Sequence, residues 1–186
     1  ELYLQDATGG EPVQLTKDND TYIRSFEWSP DSKSIVYTDR KNRVNLLDVV
    51  GKKTTVLFQN PMAEIRDVTF SPDSKWLTYS RPAENQVSIV YVYDIAVRKE
   101  YPVTDKWYDS QAFSTDGKYL IFASSRDFNP TYGSLEWNHV YNNMGGVYLA
   151  LLQKDTPSPF LQKDAEVKVA KEETAKKEDK KKEDKD

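Results

Sequence analysis

The sequence predicts an all-β fold assembled from four-stranded antiparallel propeller blades, and three observations carry that prediction. A phrase recurs as Trp28-Ser29-Pro30-Asp31-Ser32-Lys33, Phe70-Ser71-Pro72-Asp73-Ser74-Lys75 and Phe113-Ser114-Thr115-Asp116-Gly117-Lys118. Its leading aromatics stand 42 and 43 residues apart, a period that fits propeller blades. Each phrase is followed by a strand-length run of β-branched and aromatic residues, so one supersecondary unit is rebuilt at each repeat. The 12 Tyr, 7 Phe and 4 Trp supply large side chains for packing between blades.

In chain order, Glu1-Leu2-Tyr3-Leu4-Gln5-Asp6 resembles a third strand and Gly9 to Thr16 a turn and a fourth, so residue 1 is expected to enter a blade halfway through. Tyr22 to Trp28 then leads into the Ser-Pro-Asp-Ser turn, where Pro presets φ and Asp or Ser hydrogen-bonds the turn backbone. The return strands are Ser34 to Thr38, Trp76 to Ser80 and Tyr119 to Ala123. Third strands follow at Arg43 to Asp48 and Ser88 to Asp94, and weaker fourth strands at Thr54 to Leu57 and Arg98 to Val103. In the last copy Gly146 to Leu151 mirrors the opening Leu2-Tyr3-Leu4. The expected boundaries are a partial blade at 1–19, three blades at 20–60, 61–104 and 105–162 with an insertion at 126–146, and a charged solvated linker at 163–186. Half a blade plus three blades is too few to close a ring of four to eight, so the chain is expected to be part of a larger ring.

The formal charge of −4 hides a change of character at Lys163. From there to Asp186 stand 9 Lys and 9 Asp or Glu among 24 residues, with no aromatic. Such a segment buries too little surface to offset its ordering entropy. The interleaved acids also cancel the field of its lysines, which argues against nucleic acid as a partner. There is no cysteine for a disulfide, a thiolate nucleophile or a thiolate-bound metal. No apolar run approaches the roughly 20 residues of a membrane-spanning helix. The expected compartment is the cytoplasm, with the periplasm as the alternative.

No catalytic, cofactor or metal residue emerges. His139 is the one histidine, and no nucleophile elbow accompanies it. The repeated Asp31, Asp73 and Asp116 sit in matching turns, where turn formation explains them better than calcium does. Gly9-Gly10 lacks the lysine and spacing of a phosphate loop. The insertion carries Phe128, Tyr132, Trp137 and Tyr141, which predicts a packed excursion. Four residues before the repeated aromatics stand Arg24, Arg66 and Asp109, equivalent places on three inner strands. By period two they share a face with those aromatics, which predicts that they lie at one mouth of the central channel.

The aromatic-Ser-Pro-Asp hairpin resembles the repeat of tricorn-type and prolyl-oligopeptidase-type propellers. More specific is Phe122 to Gly133, continuing through Glu136-Trp137-Asn138-His139, Val147-Tyr148-Leu149 and Lys154 to Phe160. This stretch resembles the last blade of the N-terminal six-bladed propeller of the tricorn protease family, and the tail resembles the linker to that family's second, seven-bladed ring. The resemblance implies a parent that is a large serine peptidase degrading peptides, with its catalytic residues in later domains. It also implies propellers that conduct and sort peptides, and a homo-oligomeric parent. The partners it implies are peptides, the remaining blades and the downstream peptidase domains. Three readings stay open: a non-catalytic propeller segment of such a peptidase, a protein-interaction platform without peptidase activity, and an enzyme with its site in this propeller.

Overall fold

The computed structural model describes residues 1–162 apart from 106, 107, 128, 129, 134–138 and 142, with the backbone alone at 108–112, 139 and 141. Its strands are β1 (Tyr3–Leu4), β2 (Val13–Gln14), β3 (Ile23–Trp28), β4 (Ser34–Asp39), β5 (Arg43–Asp48), β6 (Lys53–Gln59), β7 (Arg66–Phe70) and β8 (Trp76–Pro82). They continue as β9 (Ser88–Asp94), β10 (Lys99–Pro102), β11 (Tyr108–Phe113), β12 (Tyr119–Ser124), β13 (Pro130–Tyr132), β14 (His139–Tyr141) and β15 (Gly146–Leu151). No helix occurs among the described residues. Two four-stranded sheets run β3-β4-β5-β6 and β7-β8-β9-β10, preceded by the pair β1-β2 and followed by the sheet β11-β12-β15. Every pairing is antiparallel.

The repeated phrase closes each first hairpin with the same atoms. Ser29 Oγ donates to Asp31 Oδ1 at 2.6 Å, the Lys33 amide donates to that oxygen at 3.1 Å, and the Ser34 amide donates to Ser29 Oγ at 2.9 Å. Ser71 with Asp73, and Ser114 with Asp116, repeat the hydroxyl-carboxylate bond at 2.6 Å. These bonds hold all three turn carboxyls below the ordinary aspartate value, the serine hydroxyl being the largest cause. The next residue is left-handed in each copy, with φ of 60° at Ser32, 61° at Ser74 and 67° at Gly117. Glycine adopts that region without strain, which accounts for Gly replacing Ser in the third copy.

Successive sheets bury each other face to face. Leu15, Ile35, Tyr37 and Leu47 form the first packed layer, with Leu2 and Ile23 against it. Val36 and Val44 point the other way and meet Phe70, Leu77, Tyr79, Tyr91 and Tyr93 of the next sheet. Val90 and Val92, on the opposite face of that sheet, meet Leu120 and Phe122. The period-two alternation of each strand thus feeds two different cores. Burial of each large side chain contributes about 1.5–3 kcal/mol.

Two parts of the last copy differ from the expected four strands and packed excursion. Its sheet has three strands among the described residues. The sequence after β15 continues as Thr156-Pro157-Ser158-Pro159, and neither proline has an N–H to give to a ladder. The insertion contains the small hairpin β13-β14, pairing Thr131 with Val140, and Tyr132 on it is 75% exposed rather than packed. Phe128 and Trp137, the side chains of His139 and Tyr141, and the charged segment 163–186 lie outside the described residues. No helix among the described residues is long and apolar enough to cross a membrane.

Candidate functional site

The first strand of each repeat, β3, β7 and β11, carries an irregularity at or next to its candidate channel residue. In β3 the register slips between Ile23 and Ser25, leaving Arg24 as the extra residue. In β11 it slips between Tyr108 and Ser110, at Asp109. In β7 the slip lies between Arg66 and Thr69, where Asp67 has a φ of 53°. A bulge re-aims the side chain it carries and breaks simple alternation. The shared face with the repeated aromatics therefore does not follow from counting back four residues, because Arg24 and Asp109 stand at the bulge itself and an extra residue lies between Arg66 and Phe70.

The bulges and the connection between sheets bring Arg24 and Arg66 to one carboxylate. Ile65, 3% exposed, anchors the connection in the core and sets Glu64 beside both inner strands. Arg24 Nη1 lies 2.6 Å from Glu64 Oε1, and Arg66 Nη2 lies 3.5 Å from Glu64 Oε2. The hydrogen bond from Arg24, followed by the charge of both guanidiniums, holds the Glu64 carboxyl below the ordinary glutamate value. Two cations around one anion leave one positive charge in excess. Exposed ion pairs of this kind contribute little to stability, so their interest lies in the field they present. Asp109 holds the equivalent backbone place on β11, and its side chain lies outside the described residues.

Glu64 was missed in the sequence because only strand positions were counted. The available signal was its place two residues before Arg66 in Glu64-Ile65-Arg66. The inner strands are further pinned by the Phe70 amide, which donates to Glu27 Oε1 at 3.2 Å. Burial raises the Glu27 carboxyl against the opposing effect of that bond. A second tie runs from the Asp31 amide to Ser74 Oγ at 3.1 Å. Between these strands lies a cleft of about 430 Å³, lined by Ser25, Glu27, Thr38, Asp67 and Thr69 among others. Among the described residues, no three His, Asp or Glu side chains gather as metal ligands.

Serial antiparallel sheets packed face to face, each opened by the same turn, define a β-propeller segment. The chain belongs to the tricorn protease family. The family profile described as "Tricorn protease second beta propeller domain" matches residues 1–186. Tricorn protease homolog 1 of Streptomyces coelicolor is 30% identical over 135 residues, covering 71% of this chain and 13% of that protein. Tricorn protease of Thermoplasma volcanium is 26% identical over 159 residues, covering 81% of this chain and 15% of that protein. A crystal structure of the tricorn protease superimposes with a TM-score of 0.73 at 22% identity, over 82% of this chain and 15% of that one. TolB from Acinetobacter baumannii gives 0.56 at 23% identity, over 75% of this chain and 36% of that one. Both structures show the shared propeller fold.

The chain thus spans a small part of its tricorn relatives. The profile match is to the family's second propeller, which corrects the placement in the N-terminal six-bladed ring. That placement rests on the stretch from Phe122 to Phe160, which falls within the residues matched to the second propeller.

Proposed function

We propose that this segment forms part of the wall of a peptide passage in a tricorn-like serine peptidase, with no catalytic role of its own. The observation that carries the reading is the Arg24-Glu64-Arg66 cluster, which joins the first strands of two adjacent sheets and sets two guanidiniums against one carboxylate. In a propeller those strands surround the central channel, and a narrow pore focuses the field of charges at its mouth. Peptides carrying Asp or Glu are then drawn in faster than neutral ones. On this reading the remaining blades and the peptidase domains are supplied by the rest of the parent, which assembles as a homo-oligomer.

The test is the double change Arg24→Ala and Arg66→Ala in the full-length protein. Turnover of acidic peptides is expected to fall more than that of neutral peptides of equal length, and the gap to shrink as salt rises. Equal losses on both substrates would remove the charge-steering role.

A further inference from the structure

A second polar recess lies between the outer strand β6 and the last strands of the following sheet. Its volume is about 270 Å³, and its walls include Phe58, Asn60, Arg81, Tyr93, Arg98 and Glu100. That is many times the roughly 30 Å³ share of one liquid water and below the range of drug-sized ligand sites. An amino-acid side chain or a small organic acid is the matching size.

The hydrogen-bond inventory is one-sided. Both Glu100 oxygens are engaged: Oε2 accepts from Tyr79 OH at 2.6 Å and Oε1 from Arg81 Nη2 at 2.7 Å. Arg81 is fixed further by the Tyr91 ring, 4.4 Å from its guanidinium carbon. Tyr93 OH donates to the Leu57 carbonyl at 3.3 Å. Asn60 is 7% exposed. The Met62 amide donates to its Oδ1 at 3.2 Å, which fixes the orientation of the side-chain amide. Its Nδ2 is buried and has no hydrogen-bond partner. Arg98 is exposed and makes no ion pair among the described residues. Its charge reaches the recess, since it opposes the rise that burial imposes on the Tyr93 hydroxyl. Two arginines against one glutamate leave a positive surplus, and Asn60 Nδ2 is a buried donor left unengaged. A buried donor without an acceptor is costly to keep.

We propose that this recess is a carboxylate-binding site, in which Asn60 Nδ2 and the Arg98 guanidinium hold the carboxylate of an acidic side chain or of a small free acid. A carboxylate supplies the acceptor that Asn60 lacks and the anion that Arg98 lacks, and charge-assisted bonds of this kind are the strong ones. The proposal stands on groups separate from the inner-strand arginines and holds whether or not peptides pass along the channel.

The experiment uses the full 186-residue chain, labelled with ¹⁵N, and follows the Asn60 side-chain amide during titration. The probes are acetyl-glutamate amide, acetyl-glutamine amide, a Glu-containing tripeptide, glutarate and sodium chloride. A saturable shift of the Asn60 resonances is expected with the glutamate compounds or glutarate, and none with the glutamine analogue. Arg98→Asn, which suits the φ of 58° at this position, is expected to weaken binding about tenfold, with Arg98→Lys restoring part of it. Tighter binding of the tripeptide than of glutarate assigns the source to a peptide segment, and the reverse order to a small acid. An Asn60 amide that does not move would overturn the proposal. So would one that shifts equally with the glutamine analogue or with salt, or one unaffected by Arg98→Asn.

Discussion

The sheets β7-β10 and β11-β12-β15 are built from the same repeat, yet they live in different surroundings. In the first, Leu77 and Tyr79 face the preceding sheet, Val90 and Val92 face the following one, and all four are buried. In the second, Leu120 and Phe122 are covered, while on the opposite face Ile121, Val147 and Leu151 remain 40%, 79% and 44% exposed. In both sheets the strands carry apolar side chains on both faces. What differs is whether a neighbour is present to receive it. A blade of this kind therefore draws its stability from the blades beside it, as nearest-neighbour coupling in repeat proteins requires. On the proposed reading the uncovered face is the seat of a further blade of the parent.

Three substitutions break or sharpen that contrast. Leu77→Ala empties a site sealed from both sides and is expected to cost about 4 kcal/mol in urea unfolding, because the surrounding strands have no room to collapse. A cost under about 1 kcal/mol would mean that the middle sheet is far looser than its burial indicates. Glu27→Gln acts at the tie between β3 and β7. Burial raises the Glu27 carboxyl above 4.5, so the protonated form suits the fold. Its contribution is complete below the unfolded value and is lost as pH rises through the folded one. The variant keeps an acceptor for the Phe70 amide and removes the charge. At pH 7 it should be as stable as the parent sequence or more so, with any advantage fading by pH 4, and a pH-independent difference would contradict the burial argument. The smallest effect belongs to Ile121→Thr on the uncovered face, within about 0.5 kcal/mol. A loss as large as that of Leu77→Ala would show that something already covers this face.

The repeat, the hairpins and the strand order were legible because each depends on local chemistry: a Ser-x-Asp turn, a left-handed residue, and a run of β-branched and aromatic side chains. The family was legible through the last copy, whose Arg126-Asp127-Phe128-Asn129-Pro130 run no simple turn requires. The bulges were not legible. No glycine marks them, and Arg24 looks like any strand residue until the Thr38 and Asp39 register is seen. Because alternation fails there, face assignments at Arg24, Arg66 and Asp109 could not be counted from the aromatics. Glu64 escaped notice since its role arises from Ile65 docking in the core, a tertiary event with no local signature. The recess around Asn60 joins residues 40 positions apart, from Asn60 to Glu100, which no single-segment pattern exposes.

The claim that neighbours, rather than the repeat itself, stabilise each sheet is tested most directly by native-state hydrogen exchange on strands β8 and β12. Each is paired on both edges, β8 with β7 and β9, and β12 with β11 and β15. The bulge opposite Tyr79 weakens pairing in β8 rather than in the compared part of β12, so slower exchange in β8 reports the covering of its faces. The amides of Leu77 to Ser80 are predicted to exchange at least about tenfold more slowly than those of Leu120 to Ala123, corresponding to a local stability difference of about 1.4 kcal/mol or more. Equal protection in the two strands would contradict the account.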